Sequence, residues 1–173
     1  VIGCIVVDEK ILSFLPGMNR IAGLGCSRSS VIKIHVSNSE NGLDVHVKSG
    51  KPLDKKLSID LAAIAVDYDL ARLSWGKDLI AINRPPVQIL GNVEIVPPED
   101  FFMQATKESE LKMSNDVCES LEGEKTIIDL FCGLGTFSFP LARTKKIFAF
   151  EQSPEMLKTL VLASRQNSNL KPI

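Results

Sequence analysis

The junction at residues 127–136 restricts the fold more than any other part of the chain: Ile127-Ile128-Asp129-Leu130 is an apolar run that enters Phe131-Cys132-Gly133-Leu134-Gly135-Thr136. It reads as a buried strand, a glycine turn and the start of a helix. Gly133 and Gly135 remove side chains where backbone must approach a ligand, and the amides after them face its polar end. A second apolar run, Ile147-Phe148-Ala149-Phe150, closes on Glu151, where a ribose would need a carboxylate to accept its hydroxyl protons. The junction therefore predicts a nucleotide-like ligand.

The surrounding pattern extends this to a fold class. Thr126 to Phe131 is a predicted strand, Thr136 to Thr144 a helix, Ile147 to Glu151 a strand and Pro154 to Asn167 a helix with proline in its first turn. That strand-helix alternation implies a parallel sheet with right-handed crossovers, an α/β fold. Doubly wound sheets usually hold five or more strands. Only two are legible here, and the chain opens on Val1 and stops at Pro172-Ile173 after a helix-like segment, so the expectation is a partial Rossmann-like sheet in a fragment.

The first half carries different signals. Residues 1 to 30 predict a short helix and a loop, the loop around Ala22-Gly23-Leu24-Gly25-Cys26-Ser27. Val31 to Val36 and Leu43 to Lys48 alternate apolar and polar at period two around Asn41-Gly42, a hairpin. Ile59, Ala62, Ala63, Val66, Leu70 and Leu73 recur at helical spacing, predicting an amphipathic helix over that hairpin. Short strands are expected at Asp78 to Ile82, Val87 to Leu90 and Val93 to Val96. Pro97-Pro98 then interrupts both helix and ladder. The predicted organisation is a small α+β domain over residues 1–96 and the first half of a cofactor domain over 97–173.

Composition excludes several classes. With 173 residues and 45% hydrophobic content the chain can build a core, and its formal charge of -1 gives no global basic field. No apolar stretch approaches the ~20 residues that span a bilayer, and no leader pattern precedes the first element. Cys4, Cys26, Cys118 and Cys132 are scattered, without a CxxC or a nearby histidine, so neither a zinc site nor a disulfide framework is indicated. Reduced thiols fit a cytoplasmic protein with no membrane association and no obligate protein partner. His35 and His46 have no acidic or cysteine partner at ligand spacing.

Which ligand the turn serves depends on its neighbours. Dinucleotide enzymes place a third glycine where this chain has Ser138, whereas Asp129, four residues before the first glycine, resembles the first motif of class I S-adenosylmethionine methyltransferases. Two longer segments sharpen the match. Pro97-Pro98-Glu99-Asp100-Phe101-Phe102-Met103-Gln104-Ala105-Thr106 and Asp129 through Ala142 together resemble the RNA 5-methyluridine (uracil-5-)-methyltransferases. The resemblance is strong over about 97 to 165 and looser at Cys4 and Ala71-Arg72-Leu73-Ser74-Trp75.

The resemblance implies S-adenosylmethionine as cofactor and ribosomal or transfer RNA as substrate. By position it assigns Gln104 to a cofactor contact, Phe131 and Thr136 to the turn contacts beside Asp129, Gly133 and Gly135, and Glu151 to the ribose. Thr136 and Thr106 stand where family members often have Asn, and both keep a hydrogen-bonding side chain. In this family a cysteine adds to carbon 6 of uracil, carbon 5 takes the methyl group, and a base removes the proton. The nucleophile sits in a Ser-Cys-Asn-Pro-like motif beyond an Asp-Pro-Pro-Arg-like one; this chain contains neither. The fragment is therefore expected to be inactive alone, with Cys132 a small filler rather than a nucleophile. Asn83-Arg84-Pro85-Pro86 reads as a rigid loop. Cys4 matches the last of four cysteines that hold an iron–sulfur cluster in many members, a possible ligand in the full-length protein only. Lys33, Lys48, Lys51, Lys55 and Lys56 read first as solvated surface and second, as the resemblance implies, as a basic edge facing RNA. Two other readings stay open from the residues: a nicotinamide- or nucleotide-dependent Rossmann enzyme, and a non-catalytic RNA-binding module whose turn is architectural.

Overall fold

Asp8 starts the first helix by accepting the Lys10 amide at 2.8 Å, and α1 (Glu9–Ser13) passes through Phe14 into α2 (Leu15–Gly25). The structure, a computed structural model, describes residues 4, 6–27, 31–104 and 106–173; the parts of the opening apolar run and of the later loop at 1–3, 5 and 28–30, and Ala105, lie outside the described residues. Most of the small-residue run expected as loop is inside α2. Glycine is a poor helix former, so packing must supply the stability that propensity does not. Gly25 does so by admitting Trp75, whose ring would lie 2.2 Å from a Cβ built there. Phe14 and Ile21 are buried, and Phe14 meets Tyr68 edge-on at 5.2 Å between centroids.

Val1–Pro86, one of two compact units, contains a four-stranded sheet. β1 (Lys33–Ser39) and β2 (Gly42–Lys48) form the expected hairpin, Ile34 opposite Val47 and Ser39 opposite Gly42. Gly42 takes a φ of 123°, which a side chain would resist. α3 (Lys55–Asp67), capped by Asp54 accepting the Leu57 amide at 2.7 Å, crosses over so that β3 (Arg72–Trp75) lies parallel to β2. β4 (Asp78–Ile82) returns antiparallel, giving the order β1-β2-β3-β4.

Two details of this unit differ from the periodicity. The helical spacing runs to Leu73, yet α3 stops at Asp67 because Asp69 turns left-handed, with φ 49°. Arg84 fixes that turn, pairing with the Asp69 carboxylate at 2.8 Å and donating to the carbonyls of Asp69 and Asn41, each at 2.8 Å. Asn83 donates to the Leu70 carbonyl and Asn41 to that of Pro85, so the Asn83–Pro86 loop is a structural clamp. The second difference is the buried face of α3. Leu57, Leu61, Ile64 and Ala65 pack inward, while Ile59 and Val66 face solvent at 60% and 71% exposure. The helix is apolar on two sides, and the leucine-rich side fills more volume against Val45, Val47 and Trp75. Alternate residues of β2 and β3 carry a buried polar row, Asp44 bound in a fork to Arg72 at 2.8 and 2.6 Å and His46 to Ser74 at 2.8 Å.

The second unit, Val87–Ile173, begins before the expected boundary at Pro97. β5 (Gln88–Leu90) and β6 (Val93–Ile95) pair around Gly91, and Leu90, Val93 and Ile95 join the core of Phe101, Leu134 and Phe139. Gln166 also donates to the Glu94 carbonyl at 3.2 Å, so the hairpin packs with the C-terminal elements. α4 (Lys107–Ser120), capped by Thr106, precedes β7 (Thr126–Leu130), α5 (Ser138–Leu141), β8 (Lys146–Phe150) and α6 (Pro154–Ser164), which Ser153 caps. α5 is one turn, shorter than the predicted Thr136 to Thr144. A third parallel strand, β9 (Leu170–Pro172), adds to the two expected, in the order β7-β8-β9. Pro172 conceals it in the sequence. The Ile173 amide donates inward to Ala149, so the neighbouring position points away from β8, where a missing N–H is harmless. The architecture is a parallel Rossmann-like sheet preceded by a small α+β unit.

Trp75 is the chain's single tryptophan and reports on the first unit. Gly25→Ala should lower that unit's stability by about 1–3 kcal/mol through overpacking, whereas Gly23→Ala, on the same helix with open space at its Cβ, should raise it by up to ~1 kcal/mol. Urea denaturation followed by tryptophan fluorescence measures both.

Candidate functional site

The parallel pairing of β7 and β8 sets Asp129 beside Ala149 and Leu130 beside Phe150, so the glycine turn and Glu151 leave the sheet at the same end. Three turn residues adopt positive φ: Phe131 at 59°, Gly133 at 57° and Gly135 at 90°. For Gly135 the reason is doubled, since a Cβ would also lie 2.7 Å from the Phe139 ring. For Phe131 the same conformation is strained, and the ring is 82% exposed at the mouth of the turn.

Hydrogen bonds tie this turn to β8. The Cys132 amide donates to the Phe150 carbonyl at 3.0 Å, and the Gly133 amide donates to Glu151 Oε2 at 2.8 Å. Glu151 Oε1 accepts the Ser153 amide, also at 2.8 Å, from the cap of α6. Each carboxylate oxygen thus keeps lone-pair capacity after one backbone bond. Leu130, Phe131, Phe150, Glu151, Gln152 and Ile173 line a depression of about 260 Å³ beside the carboxylate. Four of those six side chains are apolar and a fifth is Glu151 itself, the composition of a wall for a flat base beside an acceptor for hydroxyls.

Asp129 is engaged differently from an ordinary turn-fixing aspartate. Its Oδ2 accepts the Ser138 hydroxyl at 2.6 Å rather than a backbone amide. Burial pushes its carboxyl above the usual carboxylate range, and the Ser138 hydrogen bond pulls it part of the way back. Among the described residues no ion pair joins Asp129 or Glu151 to a lysine or arginine. Their negative charge reaches Cys132 instead: burial first, then Asp129 and Glu151, push its thiol up to about 12. Such a thiol is not a nucleophile near neutral pH.

The predicted residues divide into three groups. Asp129, Phe131, Gly133, Gly135 and Glu151 meet around the turn. Thr136 is half-buried in the same turn with no hydrogen bond to a described residue, and Gln104, half-buried in the extended segment before α4, neither lines the depression nor bonds to the turn. Cys4 belongs to the first unit, its thiol pKa lowered by the Val6 and Val7 amides that face the sulfur. Among the described residues no group of three or more His, Cys, Asp or Glu is arranged to hold a metal. One thiolate does not fit an iron–sulfur cluster, which takes four ligands. No described helix is long and apolar enough to cross a membrane. Sequence reasoning missed Ile173 because β9 was hidden, and missed Ser138 because it was weighed only as an absent glycine.

No protein-family model matches the chain. It is homologous over nearly its whole length to bacterial proteins named as RNA methyltransferases. That of Caulobacter vibrioides is 30% identical over 175 residues, covering 98% of this chain and 42% of its own length. One from Brucella suis is 29% identical over 173 residues, covering 100% and 42%. The 23S rRNA (uracil(1939)-C(5))-methyltransferase RlmD of Shewanella woodyi is 23% identical over 173 residues, covering 95% and 39%. The chain thus spans about two fifths of the length of the relatives it matches. In fold it is similar to the Pyrococcus abyssi tRNA (uracil-54, C5)-methyltransferase solved with S-adenosyl-L-homocysteine, at a TM-score of 0.61 and 14% identity over 95% of this chain and 44% of that one. Methanocaldococcus jannaschii Trm5, solved with adenosine, gives 0.55 and 15% over 98% and 52%.

Asp129→Asn should raise stability at pH 7. The folded carboxyl titrates above its unfolded value, so the folded state gains as pH falls between the two, and the ionised group weakens the fold at neutral pH. Thermal melts at pH 7 and pH 4 should show the variant's advantage shrinking in acid. In the folded chain, iodoacetamide at pH 8 should alkylate exposed Cys26 and spare Cys132, read by peptide mass spectrometry.

Proposed function

We propose that the chain carries the cofactor-binding part of an S-adenosylmethionine-dependent RNA methyltransferase whose full-length form methylates carbon 5 of a uridine in ribosomal or transfer RNA. The observation that supports the cofactor best is Glu151, held by the Gly133 and Ser153 amides at the edge of an apolar depression. A carboxylate so fixed accepts the two ribose hydroxyls, and Phe131, Leu130 and Phe150 supply apolar contact for the adenine. Gly133, Gly135 and Thr136 are assigned to the turn contacts and Gln104 to the far end of the ligand. S-adenosylmethionine supplies a methyl group from a sulfonium. The chain's own residues bind and orient it.

The substrate rests on the relatives: their names give RNA, and the Shewanella protein's gives uracil carbon 5. The paired segments Pro97–Thr106 and Asp129–Ala142 support the same class. Attack on carbon 6 needs a thiolate, and Cys132 is held neutral beside two carboxylates. We assign the nucleophile, and the other three ligands of any iron–sulfur cluster to which Cys4 contributes, to parts of the full-length protein outside these 173 residues.

Calorimetry of the chain with S-adenosylhomocysteine and with a nicotinamide dinucleotide tests the cofactor. Binding of the first and not the second is expected, with at least a roughly tenfold loss in Glu151→Ala, the size of a charge-assisted hydrogen bond. Full-length protein should place a labelled methyl group on carbon 5 of uridine in RNA. Methyl transfer by the 173-residue chain alone, or preference for the dinucleotide, would contradict the reading.

A further inference from the structure

Ser138 stands where a dinucleotide-binding turn would carry its third glycine, and it is fully buried. A buried hydroxyl needs a partner, and this one has taken a carboxylate: Ser138 Oγ donates to Asp129 Oδ2 at 2.6 Å. The bond joins the first residue of α5 to the penultimate residue of β7, across the glycine turn. It occupies one carboxylate oxygen. The other, Oδ1, has no hydrogen-bond partner among the described residues.

We propose that Ser138 is a positioning residue for cofactor capture: by holding Oδ2 of Asp129 it leaves Oδ1 to accept the α-ammonium of the ligand's amino-acid tail. The proposal rests on the cofactor reading above and concerns the opposite end of the same ligand. Glu151 serves a neutral ribose, for which a carboxylate is an acceptor only. Asp129 serves a charge. The environment favours that assignment, since neither carboxylate has a lysine or arginine partner among the described residues. A half-buried carboxylate kept without a counter-ion is a poor choice for stability and a good one for a cationic ligand. Ser138 on α5 bonds the Asp129 carboxylate, Ala149 beside Asp129 in the β8 register does not titrate, and the titratable group that feels both Asp129 and Glu151 is Cys132. Cys132 stays a neutral thiol through the physiological range, so Asp129 and Glu151 set the charge there.

The Ser138 bond also has a titration consequence. It lowers a carboxyl that burial raises, so removing the hydroxyl lets the Asp129 carboxyl rise further. Ligand capture through an ionised Asp129 would then fail at a higher pH than in the unaltered chain.

The test compares S-adenosylhomocysteine with 5′-methylthioadenosine, which keeps the nucleoside and lacks the amino-acid tail, by calorimetry on the 173-residue chain from about pH 5 to about pH 8. Ser138→Ala should weaken S-adenosylhomocysteine about tenfold at pH 7 while leaving methylthioadenosine within about twofold, and should move the acid limb of the first to higher pH. Asp129→Asn, which keeps an acceptor for Ser138 and loses the charge, should give the same selective loss with no acid limb. Equal weakening of both ligands, or no change in either, overturns the positioning role. An unaltered chain that binds neither ligand overturns the cofactor reading itself, and this proposal with it.

Discussion

Glu151 holds the site together by making two bonds to backbone from one side chain. Its oxygens accept the amides of Gly133 and Ser153, so a single carboxylate connects the end of β8 to the turn after β7 and to the cap of α6. Without that bridge, a turn with three left-handed positions at alternate residues would have only the Cys132-to-Phe150 bond joining it to β8 among the described hydrogen bonds. The conformation is a demanding one, because Phe131 has no glycine's freedom at its φ of 59°. The packing beneath it is equally specific: Phe139 occupies the space a Cβ on Gly135 would need, and Gly91 brings the β5–β6 hairpin against the backbone of Pro140.

The same constraint explains the electrostatics. Fixing Glu151 at the turn brings it, like Asp129, within electrostatic reach of Cys132, so two carboxylates act on one buried thiol with no basic side chain paired to either among the described residues. Cys132 is thereby silenced, although its place in the turn makes it the most conspicuous cysteine in the chain. Under the proposed function the site recognises a nucleoside with a charged tail, and Cys132, held as a neutral thiol, takes no part in bond-making.

The glycine turn, the two flanking strands and Glu151 were all legible in the sequence, because apolar runs and glycine spacing are local signals; the burial expected of the first strand was not, since β7 leaves Ile128 and Leu130 63% and 62% exposed. Tertiary contact decided the features that escaped. β9 is three residues long and ends in proline, and only its pairing with β8 makes it a strand. β3 was hidden within a helical period that extends to Leu73, and the break at Asp69 depends on Arg84, fifteen residues away. α3 offered two apolar faces, and volume against Trp75 and Val47 chose between them. The β5–β6 hairpin gave no sequence sign of belonging with the later unit, since its assignment rests on Leu90, Val93 and Ile95 filling the second core. Ser138 was visible as a departure from a glycine pattern, but its bond to Asp129 requires the turn to be folded.

A nucleoside ligand that engages Glu151 at the glycine turn must disturb the amides that share the carboxylate. Chemical shifts of the isotopically labelled chain, titrated with S-adenosylhomocysteine, read that contact directly, because the Gly133 and Ser153 amides both donate to Glu151. Large, saturable shifts at Gly133, Ser153 and Ile173, with Gly76 in the first unit unmoved, are the predicted result. Shifts absent from the turn at saturating ligand, or confined to the first unit, would contradict it.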